Sequence, residues 1–363
     1  MNGTKVVTCP ASHHRIENIH NGKVANGTVK AGGQDKPAPG KYIRWDVEEF
    51  NRFQMMNFNE HMHCLRGTHL KTQSCIMGKC PIGIVHDNLP THLAQGMFAK
   101  PGAYDVIMRY SSLTPKLVPD NVPAPRVISM KIFGVEGEKI WGEDKKTQDW
   151  ICNNYPILEL RDPQTTYDIA NSLERNWNDL PTFAHEQSKR ADADVVTLGM
   201  VAMPEYSQSV YRYGDYVAKF SVFPLNEAQK RLVDTEIKDS DPINMISQEL
   251  RSFRMKNKVT YSFCAQLLQD LTEQPDSWLP EFRVWSDDRI TVNSWHGLKA
   301  HQPLGSTNRM RRVVYAESRK LRLRVNGHRD YVEPTGLNEV PVPVPAPQLL
   351  LRHQNALQTT EVA

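Results

Sequence analysis

The sequence predicts an α+β fold in which a large antiparallel sheet or barrel is flanked by helices. Several runs rich in β-branched and aromatic residues are separated by Gly, Pro and Asn, a pattern typical of antiparallel strands. These runs cover residues 104–112, 126–135, 150–160, 218–225, 258–268 and 282–285. Segments with helical periodicity interrupt them at 45–65, 88–98, 163–177, 224–237 and 306–324.

The composition at both ends of the chain differs from that of the middle. Residues 1–45 are rich in Gly, Asn, Lys and His, and they predict an extended N-terminal arm. Residues 46–325 carry the strand and helix patterns and form the predicted folded domain. Residues 326–363 contain "NEVPVPVPAPQLLL", which predicts a proline-rich tail lying extended over the surface. An arm and a tail of this kind suit wrapping around a partner subunit, so we expect a homo-oligomer.

The charge balance disfavours nucleic acid as a partner. The 363 residues include 44 Lys and Arg and 41 Asp and Glu, whereas nucleic-acid-binding proteins usually have a strong basic excess. No run approaches the roughly 18 apolar residues of a membrane span, and no apolar segment follows Met1, so we expect a cytoplasmic protein. The six cysteines then predict free thiols. Cys75 and Cys80 lack the second pair that a zinc site would need.

The segment 306–324 predicts a strongly basic helix with a tyrosine near its centre. Ser306 is the predicted N-cap, and no helix breaker appears before Asn326–Gly327, where a C-cap fits. At about 100° per residue, four side chains fall within about 80° of one another on the helix surface. They are Arg311, Tyr315, Arg319 and Arg322.

Two interpretations of this helix face are open. The first is a solvated basic face with a half-buried tyrosine. The second begins with the fact that a cation one turn before a tyrosine favours the phenolate, so Arg311 would favour the ionised form of Tyr315. A phenolate is a suitable anionic axial ligand for ferric haem, and further arginines on the same face would meet the two haem propionates.

Three other segments contain motifs that suit the peroxide-binding side of such a haem. They are "LRGTHLKTQSCIMGKC" (65–80), "DVIMRYSS" (105–112) and "DWICNNYPILELRD" (149–162). Their Arg-x-x-His-x-Lys, Arg-[Phe/Tyr]-Ser and Asn-Asn-x-Pro patterns resemble the distal-side segments of haem catalases. The stretch "WHGLKAHQPLGSTNRMRRVVY" (295–315) resembles the proximal segment of the shorter catalase-related haem proteins, which include allene oxide synthase-type enzymes. The motifs occur in the same order as in that family, over 66–177 and 295–322.

The resemblance implies a fold and a set of site residues. The fold would be a closed antiparallel β-barrel with flanking helices, and haem b would lie between the barrel and the C-terminal helix. Tyr315 would be the ligand of the haem iron, with Arg311 stabilising its phenolate. The distal groups would be His69 as proton shuttle, Asn153 as hydrogen-bond donor to the peroxide, and Ser111, which would orient the His69 ring. The residues that would bind the haem propionates are Arg66, Arg109 and Arg322.

Several of these assignments have competitors in the sequence. The histidines that compete with His69 but lack Arg at −3 and Lys at +2 are His61, His63 and His86. Asn154 could take the place of Asn153, and Ser111 could be an ordinary strand residue.

Thr68 bears on which reaction the resemblance implies. True catalases place valine directly before the distal histidine, whereas the allene oxide synthase-type members carry threonine, as this chain does at Thr68. The resemblance therefore implies an enzyme that activates the O–O bond of an organic, fatty-acid-type hydroperoxide, as an isomerase, dehydratase, lyase, peroxidase or peroxygenase. The alternatives are a small catalase that disproportionates hydrogen peroxide and a non-enzymatic haem-binding protein. Thr68 could also have no effect on His69.

Overall fold

The computed structural model shows a mixed fold of helices and antiparallel sheet, as the sequence predicts. It describes residues 39–76, 83–85, 89–140, 146–156, 162–180, 182–183, 186, 200–233, 235–267, 292–328, 334–336 and 339. The strands are β1 (Thr72–Ile76), β2 (Gly83–Val85), β3 (Gly102–Tyr104), β4 (Val106–Ser112), β5 (Arg126–Phe133), β6 (Thr147–Asn153), β7 (Glu205–Tyr206), β8 (Tyr211–Tyr213), β9 (Tyr216–Pro224) and β10 (Tyr261–Leu267). Five of the six predicted strand runs are confirmed, and the sixth, 282–285, lies outside the described residues.

The helices match the sequence less closely than the strands do. The α-helices are α1 (Pro39–His61), α2 (Pro163–Arg175), α3 (Glu227–Lys230), α4 (Met245–Lys256) and α5 (Ser306–Val325), and short 3-10 helices span Gly96–Phe98 and Lys299–His301. The predicted helices at 88–98 and 224–237 are reduced to about one turn each, and α4 was not predicted. Among the residues that the structure describes, no helix is both long and apolar enough to cross a membrane.

One antiparallel sheet contains most of the strands. Its order is β1-β4-β5-β6-β7-β9-β10, with β8 also paired to β9, while β2 and β3 form a separate two-stranded sheet. The predicted closed barrel is wrong for the described strands, because β1 and β10 do not pair. Helix α4 packs beside β1 instead, and Ser247 Oγ donates a hydrogen bond to the backbone oxygen of Gln73, at 2.8 Å. A helix that covers a strand edge in this way prevents another strand from pairing there.

The two faces of the sheet are both buried but differ in chemistry. Side chains on one face of β4, β5 and β6 join the main apolar core, among them Met108, Ile128, Met130 and Trp150. The opposite face of the same strands holds buried polar and charged residues, among them Arg109, Ser111, Ser129, Lys131, Asp149 and Asn153. We call this second face the polar face. Buried polar groups require partners, so the polar face is the natural place to look for a functional site.

The ends of α5 follow the sequence with one correction. The predicted N-cap, Ser306, is the first residue of the helix, and the N-cap is Gly305. Gly305 has φ 92°, a conformation that glycine adopts without steric penalty, which is why the cap falls there. The predicted C-cap is confirmed, since Asn326 ends the helix and Gly327 follows with φ 73°. The two amides after Asn326 donate to carbonyls of the last turns, as in a Schellman motif.

The domain boundary at the N-terminus also needs a correction. Helix α1 begins at Pro39, so residues 39–45, predicted as the end of the extended arm, are helical. Proline suits the first turn of a helix, because its φ is already restricted and the amide it lacks would have no helical partner. Ile43 then packs against the apolar cluster between α1, α2 and α5. Residues 1–38 and most of the predicted tail, 326–363, lie outside the described residues.

A second polar cluster lies on the core side of the sheet. Arg126 is 1% exposed, and its Nη1 donates to Ser112 Oγ at 3.1 Å. Glu205 is fully buried, and its Oε2 accepts a hydrogen bond from the Ile128 amide at 2.7 Å. Burial raises the pKa of Glu249 in α4 from 4.5 to about 7, although the positive charge of Arg126 acts in the opposite direction. Burial also raises the pKa of Glu205 well above its ordinary value.

Replacing Glu249 by glutamine is expected to stabilise the protein at about pH 8 but not at about pH 4. The folded state holds the Glu249 proton more tightly than the unfolded chain does, so stability falls as the pH rises from 4.5 to about 7. Glutamine removes this loss, on the order of 1–3 kcal/mol at about pH 8, since one pKa unit corresponds to about 1.4 kcal/mol. Urea unfolding at both pH values measures the change, with the exposed Glu227→Gln as control. An equal change in the free energy of unfolding at the two pH values would rule out burial as its cause.

Candidate functional site

A row of side chains crosses four strands on the polar face. Each lies opposite the next in the ladder, in the order Thr72 of β1, Ser111 of β4, Val127 of β5 and Asn153 of β6. Directly opposite residues point to the same face of an antiparallel sheet, so Ser111 and Asn153 share a face, two strand spacings or about 10 Å apart. Ser111 and Val127 are fully buried and Asn153 is 7% exposed. The register therefore brings two of the predicted distal residues onto one surface.

His69 lies in the bend that precedes β1, near one end of this row. Its side chain is 1% exposed, and its φ of 52° falls in the left-handed region that residues other than glycine rarely adopt. Arg109 Nη2 donates to the His69 carbonyl oxygen and to Thr72 Oγ1, both at 2.7 Å. Ser111, which was predicted to orient the His69 ring, forms no hydrogen bond with that ring. Within the described part of the chain, Ser111 Oγ is buried and has no hydrogen-bond partner.

The lysine of the Arg-x-x-His-x-Lys motif is a structural anchor. Lys71 Nζ donates to Asp120 Oδ1 at 2.6 Å and to the carbonyl oxygens of Val118 and Ile243 at 3.0 and 2.7 Å. Burial lowers the pKa of Lys71, although the Asp120 carboxylate opposes this shift. These contacts fix the chain two residues beyond His69.

The two neighbouring asparagines have different contacts. Asn153 Oδ1 accepts a hydrogen bond from the Tyr155 amide at 3.0 Å, which engages the acceptor end of the side chain. Asn154 Oδ1 accepts from the Arg126 amide at 2.7 Å, beyond the end of β6. Only Asn153 shares the row with Ser111, so the geometry favours Asn153 over Asn154 as the site residue.

The basic face of α5 is largely buried, which excludes a simple solvated face. Arg311 is 1% exposed and Arg322 is 2% exposed, whereas Tyr315 and Arg319 are half-buried. The Arg311 guanidinium carbon lies 5.8 Å from the centre of the Tyr315 ring, and Arg311 Nη1 donates to Asn308 Oδ1 at 2.9 Å. A buried cation therefore accompanies the tyrosine, as the haem interpretation of this helix requires.

Hydrogen bonds tie the C-terminal half of α5 to the segment that leads into the bend before β1. Gln54 of α1 bridges the two, since its Nε2 donates to the carbonyl oxygens of Leu65 at 2.9 Å and Ser318 at 3.1 Å. Asn326, which ends α5, forms two hydrogen bonds with the backbone of Cys64, at 2.8 and 2.9 Å. Helix α5 and the segment carrying the Arg-x-x-His-x-Lys motif are therefore held together.

The N-terminal end of α5 is connected to the polar face by the segment 292–298. Asp149 of β6 forms a fully buried ion pair with Lys131, whose Nζ lies 3.0 Å from both carboxylate oxygens. Asp149 also accepts a hydrogen bond from a backbone amide of segment 292–298, at 2.9 Å. Trp295 Nε1 in turn donates to the Asn308 carbonyl in the first turn of α5, at 2.9 Å. The first turn of α5 is thereby held near the polar face.

All four arginines predicted to contact the cofactor or its ligand are buried. They are Arg66 at 5%, Arg109 at 0%, Arg311 at 1% and Arg322 at 2% exposure. Guanidinium groups are seldom buried unless acceptors or counter-charges accompany them. Two of these arginines donate to uncharged oxygens of the protein, Arg109 to the His69 carbonyl and Arg311 to Asn308 Oδ1.

The competing histidines lie in other surroundings. His61 is half-buried at the end of α1, 3.7 Å from the Glu60 carboxylate. His63 is half-buried beside Asn326, with 3.4 Å between its Nε2 and the asparagine Nδ2. His86 lies outside the described residues. Thr68, in the bend with His69, is half-buried.

A groove of about 530 Å³ lies between α1 and α5, away from the sheet. Its lining includes Met55, Met56 and Leu321 and none of the predicted site residues. We therefore treat this groove as separate from the candidate site.

Sequence reasoning missed several residues that the structure places at or near the polar face. They are Thr72, Val127, Lys131, Asp149 and His296, whose Nδ1 lies 3.5 Å from the Asp149 carboxylate. A lysine inside one predicted strand, 126–135, and an aspartate directly before another, 150–160, were a signal that could have identified the ion pair. Thr72 and Val127 carry no such signal, because their positions depend on the strand register.

Within the described residues, no group of three or more His, Cys, Asp and Glu side chains is arranged to hold a metal ion. Comparison with family models and with curated proteins gives no match to this chain.

Proposed function

We propose that the chain binds haem b through Tyr315 and activates the O–O bond of a peroxide, with a fatty-acid-type hydroperoxide as preferred substrate. The observation that carries the proposal is the burial of Arg311 beside Tyr315, 5.8 Å from the ring centre. A guanidinium shielded from water favours the phenolate form of a nearby tyrosine, because opposite charges attract more strongly there. Ferric haem accepts a tyrosine phenolate as axial ligand. The proposal agrees with the resemblance of the four motifs to short catalase-like, allene oxide synthase-type proteins.

The charge of the buried arginines suits haem b. Haem b carries two propionates, and carboxylates are the usual counter-charges of buried guanidinium groups such as those of Arg66 and Arg322. The Ser111 hydroxyl, buried and without a partner among the described residues, is a further polar group that a bound molecule could satisfy. When bound, haem b supplies a redox-active iron at which the O–O bond of a peroxide is cleaved.

The distal residues have separate tasks in this proposal. His69 moves the peroxide proton from one oxygen to the other through a ring nitrogen. Asn153 donates from Nδ2 to a peroxide oxygen, since its Oδ1 is engaged by the Tyr155 amide. Val127, between Ser111 and Asn153, makes the centre of the row apolar, which suits a substrate with a hydrocarbon chain.

A stopped-flow comparison of hydrogen peroxide with a fatty-acid hydroperoxide tests the proposal. The haem spectrum reports the reaction with each peroxide, and product masses distinguish rearrangement, dehydration and oxygen transfer. We expect the fatty-acid hydroperoxide to react faster, because its hydrocarbon part adds binding energy that aligns the O–O bond. Rapid oxygen release from hydrogen peroxide would instead identify a small catalase. Haem binding without turnover of either peroxide would identify a haem-binding protein.

Replacing Thr68 by valine is expected to raise oxygen evolution from hydrogen peroxide, which should be weak in the wild type. Disproportionation requires His69 to accept a proton from a small ligand that has little other binding energy. The Thr68 hydroxyl can hydrogen-bond the imidazole or a nearby water and so hold the ring in a less suitable state. An oxygen electrode measures the effect, and Thr68→Ser, which keeps the hydroxyl, is the matched control. Vigorous oxygen evolution by the wild type would show that Thr68 does not suppress catalase activity.

A further inference from the structure

We infer that Arg109 and Thr72 form a clamp that positions His69, so that Arg109 acts on the peroxide through His69 and not only as a cofactor-binding residue. The inference rests on the proposed function, in which His69 transfers a proton. Arg109 Nη2 donates to the His69 carbonyl oxygen and to Thr72 Oγ1, and both distances are 2.7 Å. Arg109 Nε also donates to Thr72 Oγ1, at 3.3 Å. The threonine hydroxyl oxygen therefore accepts two hydrogen bonds from one guanidinium group.

The backbone of His69 requires a restraint of this kind. A φ of 52° crowds the Cβ of any residue with a side chain, and such a conformation persists only where the surroundings hold it. Relaxation to a right-handed or extended conformation would turn the imidazole in a different direction. Arg109 binds the carbonyl oxygen of His69 itself, so the hydrogen bond opposes that rotation.

The two residues that hold His69, Arg109 and Thr72, lie in paired strands. Arg109 is fully buried in the middle of β4, which is paired on both sides, with β1 and with β5. Thr72 is the first residue of β1 and lies opposite Ser111. A charged donor strengthens the two hydrogen bonds. The clamp therefore fixes His69 relative to the strands that carry Ser111 and Asn153.

Backbone hydrogen bonds also fix the residues that follow His69. The Leu70 amide donates to the Thr114 carbonyl, and the Ser112 amide donates to the Lys71 carbonyl, each at 3.1 Å. Arg109 donates to the carbonyl oxygen of His69 itself. Loss of the clamp should therefore loosen His69 without unfolding the strand pair beyond it.

Thr72→Val and Arg109→Lys test the clamp, and Thr72→Ser is the conservative control. Valine keeps the shape of threonine but lacks the hydroxyl, whereas serine keeps the hydroxyl. In the full chain we expect Thr72→Val and Arg109→Lys to speed amide hydrogen exchange in a peptide spanning 66–72 by about 10-fold or more. We expect both to slow peroxide cleavage by about 10–100-fold, since small misplacements of a reacting group have effects of that size. Thr72→Ser should match the wild type in both measurements.

A double-variant cycle separates action through His69 from general damage. In a His69→Ala background, Thr72→Val, at a residue outside the proposed haem contacts, should change the peroxide rate by less than about 2-fold, because the residue that the clamp positions is absent. Unchanged hydrogen exchange in both variants, or a loss of rate in Thr72→Val that adds fully to that of His69→Ala, would overturn the clamp. So would a fall in haem content in Arg109→Lys with unchanged exchange, which would make Arg109 a cofactor ligand alone. If the wild type takes up no haem, the proposed function fails, and the exchange measurement alone decides whether the clamp exists.

Discussion

Replacing Tyr315 by phenylalanine is expected to lower haem b affinity by more than about 100-fold. Residues that only hydrogen-bond to a metal ligand contribute about 10–100-fold to the affinity for the metal. Tyr315 is proposed as the ligand itself, so its loss should have a larger effect. Phenylalanine keeps the ring against which Arg311 lies, so the packing of α5 should survive while the oxygen is lost. The loss therefore reports on ligation and not on folding. Titration of haem b into each purified protein, followed by the Soret band, measures the affinity.

The control for this variant is Tyr104→Phe. Tyr104 is half-buried on β3, outside the large sheet, and its hydroxyl donates to the Met97 carbonyl at 3.3 Å. We expect it to bind haem b as the wild type does. Haem content and spectrum unchanged in Tyr315→Phe would show that another residue binds the iron or that no axial tyrosine is present.

Replacing His69 by alanine is expected to slow peroxide O–O cleavage by about 10²–10⁴-fold while haem b remains bound. This range is the usual contribution of a positioned general acid–base group. The side chain is proposed to handle a proton and not to hold the cofactor, so the Soret band should persist. Single-turnover kinetics with a fatty-acid hydroperoxide measures the rate.

Two further variants make this test specific. His69→Asn removes the imidazole but tolerates the left-handed backbone better than alanine does, so it separates proton transfer from backbone strain. His63→Ala removes a half-buried histidine that lies beside Asn326, and it should change the rate by less than about 2-fold. Full activity of both His69 variants would assign proton transfer to a different group.

The sheet was largely predictable from sequence, because the composition of its long strands is typical of β-structure. The runs that became β4, β5 and β6 are rich in β-branched and aromatic residues, and both of their faces are buried. Strands β7 and β8 have two and three residues and exist through pairing with β9, which no local pattern reveals. Barrel closure was predicted from the resemblance and from the number of strands. It depends on what covers the edge of β1, which is a tertiary property.

Helix α4 shows that a usable signal was overlooked. Its buried residues Ile246, Leu250 and Phe253 have the spacing of one helix face. The segment is strongly polar elsewhere, and it follows a stretch with several turn-forming residues. Its consequence for function is indirect, since α4 covers the edge of β1 next to Thr72.

The candidate site also contains residues that the sequence predicted and features that depend on the folded structure. The motifs predicted His69, Ser111, Asn153 and Tyr315 as site residues, and the fold places the first three at or near one face of the sheet. The burial of Arg311 and Arg322 could not be read from composition, because a basic helix is more often solvated. The left-handed backbone of His69 and its contact with Arg109 depend on the path of the chain into β1, so sequence alone gave no indication of the clamp.

The resonance Raman spectrum of the haem-loaded chain, prepared with ring-deuterated tyrosine, tests directly whether Tyr315 is the ligand of the haem iron. We expect one haem b per chain and tyrosinate vibrations that shift on deuteration and disappear in Tyr315→Phe. A saturably bound haem b with no band sensitive to tyrosine labelling, or no saturable uptake of haem b, would contradict it.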